Sequence, residues 1–479
     1  MQIFADPNLS FVLETARKMG VELYLVGGYV RHLLMMRTCT DLDFACAVDP
    51  KNLVQTLSEK LKRPMIVLEE ERQIYRLFLS GKMQLDFARF KGSTLEADLA
   101  ARDFTVNAMA LKLQQNAGEI SGELYDPQQG QKDLQQKIIR QVSSKIYEDD
   151  PLRMLRAHRI AAQLNFAIAE ETLQNIIVHA SKITTVAAER VREELLLMLD
   201  TPNVYERVLQ LDRCGLLTQI FPEMEPNRTC ALDYYPGKGV WGHSMDGFKC
   251  LEWIFENIDA EFGQDAEKIE TCIFGAGEDT EGHARSTLMK LAIFLHDIGK
   301  APTAKHINGR LHFYEHQNVG ARITQKIAQR LKFSSKATAF LSEMVASHMR
   351  PGSMAFAQNL TDRARFRFFR DLEEDAIPML LVSLADRYSY IPETLGKNTD
   401  THELSTKDLI RWHYHKQLEQ LKKKPKLIDG NQVMEQFGLS PGRAIGQILK
   451  DIEEAHVLGE IKTQEEAIIF IQKNIKNYQ

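Results

Sequence analysis
The chain has 479 residues, of which 44% are hydrophobic and 26% charged, with a formal net charge of -5. That length is enough for several domains with cores of their own. The charge excludes a uniformly basic, polymer-coating protein, so any nucleic-acid contact has to be a local basic surface. No apolar run approaches the roughly 18 residues of a membrane span. The opening MQIFADPNLS lacks the basic start and apolar core of a signal peptide. Six cysteines, at 39, 46, 214, 230, 250 and 272, show no CxxC spacing. Reduced thiols in a cytoplasmic protein without membrane contact are expected.

In chain order, LSFVLETARKM (9–19) has helical spacing and VELYLVGG reads as a buried strand entering a glycine turn. DLDFACAV (41–48), MIVLEE, YRLFLS and MQLDFARF (83–90) read as further strands, a helix is expected near 95–101, and AMALKLQ closes the strand-bearing part near residue 140. From about 148 onward strand signals almost vanish, and RMLRAHRIAAQL and ERVREELLLML show helical repeats. FGAGEDTEGHA (274–284) reads as an inserted loop, and KKKPK (422–426) as a linker before a helical module. The expected fold is α+β: a head with a mixed sheet of about five strands and flanking helices, then an elongated all-helical body.

Within the head, Gly27-Gly28 stands between a strand and a helix, where backbone N–H groups cradle phosphate and Arg31 lies within reach. Taken alone, the glycine pair is weak evidence and reads first as a plain tight turn. Asp41 and Asp43 lie two apart on a strand and share a face. Such a carboxylate pair calls for a cation, and oxygen ligands favour Mg²⁺ bridging phosphates. Taken alone, the pair also fits a solvated strand edge. Asp86, in QLDFARF, is placed to be a third carboxylate, or else a solvent-facing strand acid.

LVGGYVRHLL followed by TDLDFA resembles the signature of polymerase-β-like nucleotidyltransferases, most closely the class II family of tRNA CCA-adding enzymes and bacterial poly(A) polymerases. RDFTVNAMA (102–110) is similar to the family's ribose-sensing motif, which implies that Arg102, Asp103 and Asn107 hold ribose or triphosphate. DPQQGQKDLQQKIIR (126–140) resembles the neck motif, with Asp126, Gly130, Asp133 and Leu134 in place. EDDPLRMLRAHRIAAQLNF (148–166) resembles the motif in which amino acids template the base. It implies base reading by Asp150 and Arg153, with Arg156 and Arg159 on the nucleotide. Three residues apart on a helix, Asp150 and Arg153 are expected to share a face. There an acceptor and a donor fork address cytosine or adenine. A surface ion pair is the other reading of that spacing. The resemblance covers about residues 20–225. It implies that Asp41, Asp43 and Asp86 are catalytic and that Asp41 and Asp43 hold two Mg²⁺ ions.

Two positions depart from the family pattern. Its first motif usually reads GGxVRD; here His32 stands last. Between Asp86 and Arg102 the chain runs QLDFARFKGSTLEADLAARDFT, so the flexible segment of full CCA-adding relatives is shortened or absent. That shortening resembles enzymes that add CC and stop, since switching from C to A needs a moving element.

Downstream, GHSMDG, FLHDIGKAPTAK, FYEHQNVGA, ASHMRP and LADRYS resemble the metal-dependent HD phosphohydrolase pattern at His243, His296, Asp297, His316, His348 and Asp386. Imidazole and carboxylate in that order suit one or two divalent metals. LIDGNQVMEQFGLSPGRAIGQILKDIEEAHVLGEIKTQEEAIIFI (427–471) resembles the C-terminal module of bacterial members, and nearby Lys422, Lys423 and Lys424 suit a tRNA backbone or plain solvation. The expected division is 1–140 nucleotidyltransferase head, 141–225 base-reading neck, 226–420 HD domain and 427–479 tail. The resemblance implies transfer of CMP, and of AMP where A is added, from CTP and ATP to tRNA. CC addition is preferred, with a separate A-adding enzyme acting afterwards. The alternatives are a full CCA-adding enzyme, a poly(A) polymerase, and an HD phosphohydrolase whose head only grips RNA.

Overall fold
The structure is a computed structural model that describes residues 2–3, 7–39, 41–79, 83–116, 119–275, 281–357, 360–390, 400–417 and 426–475. The chain divides into two compact units, Met1–Ile220 and Phe221–Gln479.

The first unit is built on a mixed sheet. Its strands are β1 (Gln2–Ile3), β2 (Tyr24–Val26), β3 (Asp41–Cys46), β4 (Met65–Glu69), β5 (Ile74–Phe78), β6 (Gln84–Arg89), β7 (Ala110–Asn116) and β8 (Glu119–Tyr125). They lie in the order β1-β8-β7-β2-β3-β6-β5-β4, with β3 and β6 parallel and the other neighbours antiparallel. The sheet thus has eight strands where about five were expected. The sequence EISGELY of β8 has little apolar alternation, and its strand state comes from pairing with β7 from Ala110↔Tyr125 to Asn116↔Glu119.

Alternation sorts the two faces. Leu42 and Phe44 of β3 and Leu85 and Phe87 of β6 enter the main core with Val12 and Ala16 of the helix Pro7–Lys18 and Val54 and Leu57 of the helix Lys51–Leu61. Phe44 and Phe87 are register partners, and their rings stack at 4.9 Å. The period of two therefore turns Asp43 and Asp86 to the opposite face. A smaller cluster of Val26, Ala45, Leu95, Leu99 and Ala110 packs on that side. Beyond the sheet, the helices Arg153–Leu164 and Ala188–Leu199 bury Met154, Leu155, Ala157 and Ile160 with Leu195, Leu196 and Leu199.

The second unit is helical around the segment Arg285–Leu295, buried throughout from Ser286 to Leu295. One hairpin interrupts it. Lys305–Ile307 pairs with Arg310–His312, and Asn308 and Gly309 turn the chain at φ 52 and 76. Both central residues at positive φ give the mirror-image turn that matches strand twist, for which Asn-Gly is the favoured pair. At the end of the chain, helices Gly430–Phe437, Arg443–Val457 and Gln464–Asn474 enclose Val433, Ile448, Ile452 and Ile471. A capping box of Asp429 and Gln432 starts the first of them. Lys422, Lys423, Lys424 and residues 276–280 of the inserted loop lie outside the described residues.

Candidate nucleotide and metal sites
The register of the head aligns four side chains across the sheet. Val26 pairs with Asp43, Asp43 with Asp86, and Asp86 with Arg76. The Arg76 guanidinium donates to both oxygens of Asp86, from Nε at 2.7 Å and from Nη2 at 2.8 Å. Asp86 is thus where the sequence placed it, beside the aspartate pair, but its carboxylate is committed to Arg76. Asp41 lies one turn of the pleat away and is exposed. Burial, then Asp86 and Asp41, push the Asp43 carboxyl up to about 6, against the pull of Arg102 and Arg76. A carboxylate so crowded fits a divalent cation.

The glycine turn supplies room beside it. Gly27 has φ 70, and a Cβ there would stand 3.2 Å from Asp43 Oδ2 and 3.3 Å from an Arg102 nitrogen. The helix Gly28–Leu34 follows at once. Its Arg31 is buried and donates to Asn107 Oδ1 and to His32 Nε2, the latter at 3.0 Å. Burial, with Arg31 and Arg37, pushes His32 down to about 4. A neutral imidazole here accepts from Arg31 and steadies it against Asn107, which supplies a role for the residue standing where the family has an acid.

Arg102 is held by Asp98 at 2.9 Å, and Asp103 takes Arg156 at 2.9 Å, Phe104 N–H at 2.8 Å and Asn107 Nδ2 at 3.1 Å. Burial raises the Asp103 pKa, but Arg156 and these donors outweigh it and bring it to about 2. Asp103 is therefore a fixed anion that organises Arg156 and Asn107. In the neck, Asp133 accepts from the Thr105 hydroxyl at 2.7 Å, and any Cβ on Gly130 would clash with the Thr105 carbonyl.

Beside them opens a cavity of about 880 Å³, whose lining residues do not include Asp41, Asp86 or Arg31. Gly27, Gly28, Asp43, Arg102, Asp103, Asn107, Asp150, Arg153 and Arg156 all line it. Arg159 turns instead to Glu194 at 2.6 Å and Gln163 at 2.9 Å. Lining residues that sequence reasoning missed include Glu71, Arg72 and Gln73 of the β4–β5 turn, Arg89 at the end of β6, and Phe90 and Lys91 after it. A strand end followed by a basic turn was the available signal.

The expected helical Asp150–Arg153 pair is corrected. Asp150 follows the short helix Ile146–Asp149 in an extended conformation, φ -149 and ψ 99, and the next helix begins at Arg153. Pro151 is the cause, because the residue before a proline is forced out of the helical region. Neither the shared helix face nor the surface ion pair forms. Asp150 accepts from Arg190 at 2.9 Å and from the Leu152 N–H at 3.2 Å. Arg153 donates to the Ala101 carbonyl at 3.0 Å. Both still line the cavity, each braced by a different partner.

In the second unit, the six HD positions converge. His243 Nε2 lies 3.0 Å from Asp386 and 3.2 Å from Asp297; His296 Nε2 lies 3.3 and 3.2 Å from the same two. His316 Nε2 and His348 Nε2 approach the other Asp297 oxygen at 3.4 and 3.7 Å. Nδ1 of His296, His316 and His348 each meets the carbonyl three residues earlier, at 2.7, 2.9 and 2.8 Å, and His243 Nδ1 meets Ser389 Oγ at 2.9 Å. Pinning Nδ1 leaves Nε2 as the ligand atom, the usual outer support of a metal-binding histidine. His243 Nε2, His296 Nε2, Asp297 and Asp386 Oδ1 are buried facing one another, and Lys300 Nζ makes an ion pair with Asp297 Oδ2 at 2.5 Å. Two ligand triads result, His243–His296–Asp386 and Asp297–His316–His348. Nitrogen and oxygen lone pairs meeting at one point fit divalent cations.

Known proteins resemble this chain along most of its length. The poly A polymerase head domain matches residues 23–140, the HD domain residues 240–391, and tRNA nucleotidyltransferase domain 2 residues 390–471. A CC-adding tRNA nucleotidyltransferase of Geobacter sulfurreducens is 30% identical over 99% of this chain and 96% of its own. An A-adding tRNA nucleotidyltransferase of Deinococcus radiodurans is 30% identical over 94% of each chain. Among solved structures, a CCA-adding enzyme in complex with ATP superposes with a TM-score of 0.65 at 20% identity, over 98% of this chain and 95% of that one. Identity of this extent along both chains, with the matched head and HD domains, places the chain in the tRNA nucleotidyltransferase family of enzymes.

Proposed function
We propose that this enzyme transfers CMP from CTP to the 3′-hydroxyl of tRNA, adds two cytidines and stops, leaving the final A to a separate enzyme. The observation that carries the reading is the cavity in which the glycine turn and Asp43 share one volume with Asp150, Arg153 and Arg156. Asp41 and Asp43 would hold two Mg²⁺ ions. When bound, these neutralise the triphosphate and favour the deprotonated 3′-hydroxyl. Gly27 and Gly28 give backbone N–H groups and space to the phosphates, and Arg31, Arg102 and Asn107 hold triphosphate and ribose. Asp150 accepts from the cytosine N4 amine while Arg153 donates to O2 and N3. Arg156, fixed by Asp103, completes the positive wall, and Asp86, paired with Arg76, sets the charge beside Asp43. Arg159 acts through Glu194 to position Arg156, since Glu194 also accepts from Arg156 at 3.3 Å.

CC addition is favoured by the compact passage from β6 to the next helix. Only Phe90–Thr94 separate Arg89 from the helix Leu95–Ala100. That turn is pinned by Lys91 N–H on Asp98 at 2.9 Å and by the Thr94 cap on Ala97 at 3.2 Å. It leaves no long segment there to swing between templates. The test of the transfer reading is pyrophosphate release from CTP with tRNA lacking its CCA end. Asp43→Asn should lower turnover by at least about a thousandfold, the several kcal/mol of charge stabilisation at stake, with tRNA affinity retained. Equal turnover in parent and variant would overturn it.

A second reading stands beside the first for the HD domain: metal-dependent hydrolysis of a phosphoester. The two buried triads His243–His296–Asp386 and Asp297–His316–His348 favour it. A divalent metal held there would supply a nucleophilic hydroxide. Binding of Mn²⁺, Ni²⁺, Co²⁺ or Mg²⁺ lost on His296→Ala supports it; metal affinity indifferent to that change sinks it.

A further inference from the structure
The chain between Asp297 and Glu315 contains no acid, and Lys305 and Arg310 with His306 and His312 fall within it, while Lys300 there is buried against Asp297 at 2.5 Å. In a protein of net charge -5 this is a local positive segment. It is also where the hairpin Lys305–Ile307 and Arg310–His312 stands, flanked by Asp297 before it and His316 after it. The register sets Lys305 opposite His312, His306 opposite Leu311 and Ile307 opposite Arg310. With a period of two, Lys305, Ile307, Arg310 and His312 share one face and Leu311 takes the other. Leu311 and Phe313 pack on the cluster of Ala231, Tyr235 and Val240. The Tyr235 ring stacks on His243 at 4.4 Å, so the inner face of the ribbon is seated against the HD centre. The outer face is left to Lys305 and Arg310, both exposed. Beside them His312 stacks on Tyr314 at 5.1 Å and 10°, and Tyr314 is 66% exposed.

We propose that this ribbon is an RNA-holding arm of the HD centre. Lys305 and Arg310 track the phosphates of a single strand, and the Tyr314–His312 stack receives a base. Cations on a strand with an exposed ring pair at one end are what sequence-tolerant binding of single-stranded RNA requires. The substrate of the HD centre is then the end of an RNA strand rather than a small phosphate ester. The idea rests on the phosphohydrolase reading of that centre, so the experiment separates the two.

A fluorescein-labelled hexauridylate ending in a 3′-phosphate is titrated with the full chain by anisotropy over a range of salt, and p-nitrophenyl phosphate hydrolysis is measured with added Mn²⁺. The Lys305→Glu/Arg310→Glu double variant should bind about tenfold more weakly. Its slope of log affinity against log salt should fall by about 1.4, two contacts at about 0.7 each. Tyr314→Ala should weaken binding about fivefold with the slope unchanged. Ester hydrolysis should be unaltered in all three variant positions. Unchanged RNA affinity and slope overturn the ribbon, and so does an acidic peptide that displaces RNA from the parent but not from the double variant without RNA loss in the latter. Parent protein that hydrolyses no ester while the variants still lose RNA removes the phosphohydrolase reading and upholds the ribbon.

Discussion
Asp43 shows how register makes a site. The same alternation that sends Phe44 and Phe87 into the core sends Asp43 and Asp86 to the cavity side, and pairing puts them in one row. The aspartate spacing made that face readable from sequence. Nothing in the sequence told that Arg76, ten residues earlier on β5, would claim Asp86 through a cross-strand bidentate contact. The role of His32 was equally hidden, because it depends on Arg31 turning back onto the neighbouring imidazole. A buried histidine on the helix Arg153–Leu164 bears on acid tolerance. His158 is fully buried, neither ring nitrogen has a hydrogen-bond partner, and burial, with Arg207, pushes it down to about 3. Its ordinary value is about 6.5, so the unfolded chain takes up this proton first. Stability therefore rises with pH between about 3 and 6.5 and is lost as the medium is acidified through that window. His158→Leu should remove about 2 kcal/mol of the stability lost between pH 7 and pH 5, read from urea midpoints at the two values. An unchanged pH dependence would contradict it.

Helices and strands carry the next set of consequences. The helix Arg443–Val457 is docked by one buried carboxylate. Glu454, 3% exposed, accepts from Arg363 at 2.9 Å, Arg367 at 2.8 Å and Arg370 at 3.2 Å, all on the helix Asp362–Leu372. Removing the acid leaves three guanidinium groups facing one another. Glu454→Ala should cost about 3 kcal/mol and expose the three terminal helices to protease before the rest of the chain. Cleavage at the parent's rate would show that apolar packing and the Arg363–Glu460 pair hold the module without it. Elements with strong periodicity were legible: RMLRAHRIAAQL is the helix Arg153–Leu164 residue for residue. The weakly patterned β8 was not. Two local signals were present but outweighed: Pro151, which forbids a helix through Asp150, and Asn308-Gly309, the strongest short hairpin signal, set in a region otherwise helical.

Taken together, one chain carries a cavity lined by the glycine turn and Asp43 in the first unit and a cluster of histidines and aspartates in the second. The six HD positions were legible because each lies at a helix end or on a helix face near a turn, where spacing survives in sequence. The cavity walls at 71–73 and 89–91 were not, because a sheet edge and a turn come together only through folding. What separates CC addition from the other activities of this family is the length of product. A tRNA transcript lacking its CCA end, incubated with Mg²⁺, CTP and ATP and resolved at single-nucleotide length, gives it directly. Two added cytidines and a halt are expected, with no extension of a transcript already ending in CC. Growth to CCA, or addition of A to a CC end, would contradict the link between the short Phe90–Thr94 turn and CC addition, and a long A ladder would make the enzyme a poly(A) polymerase.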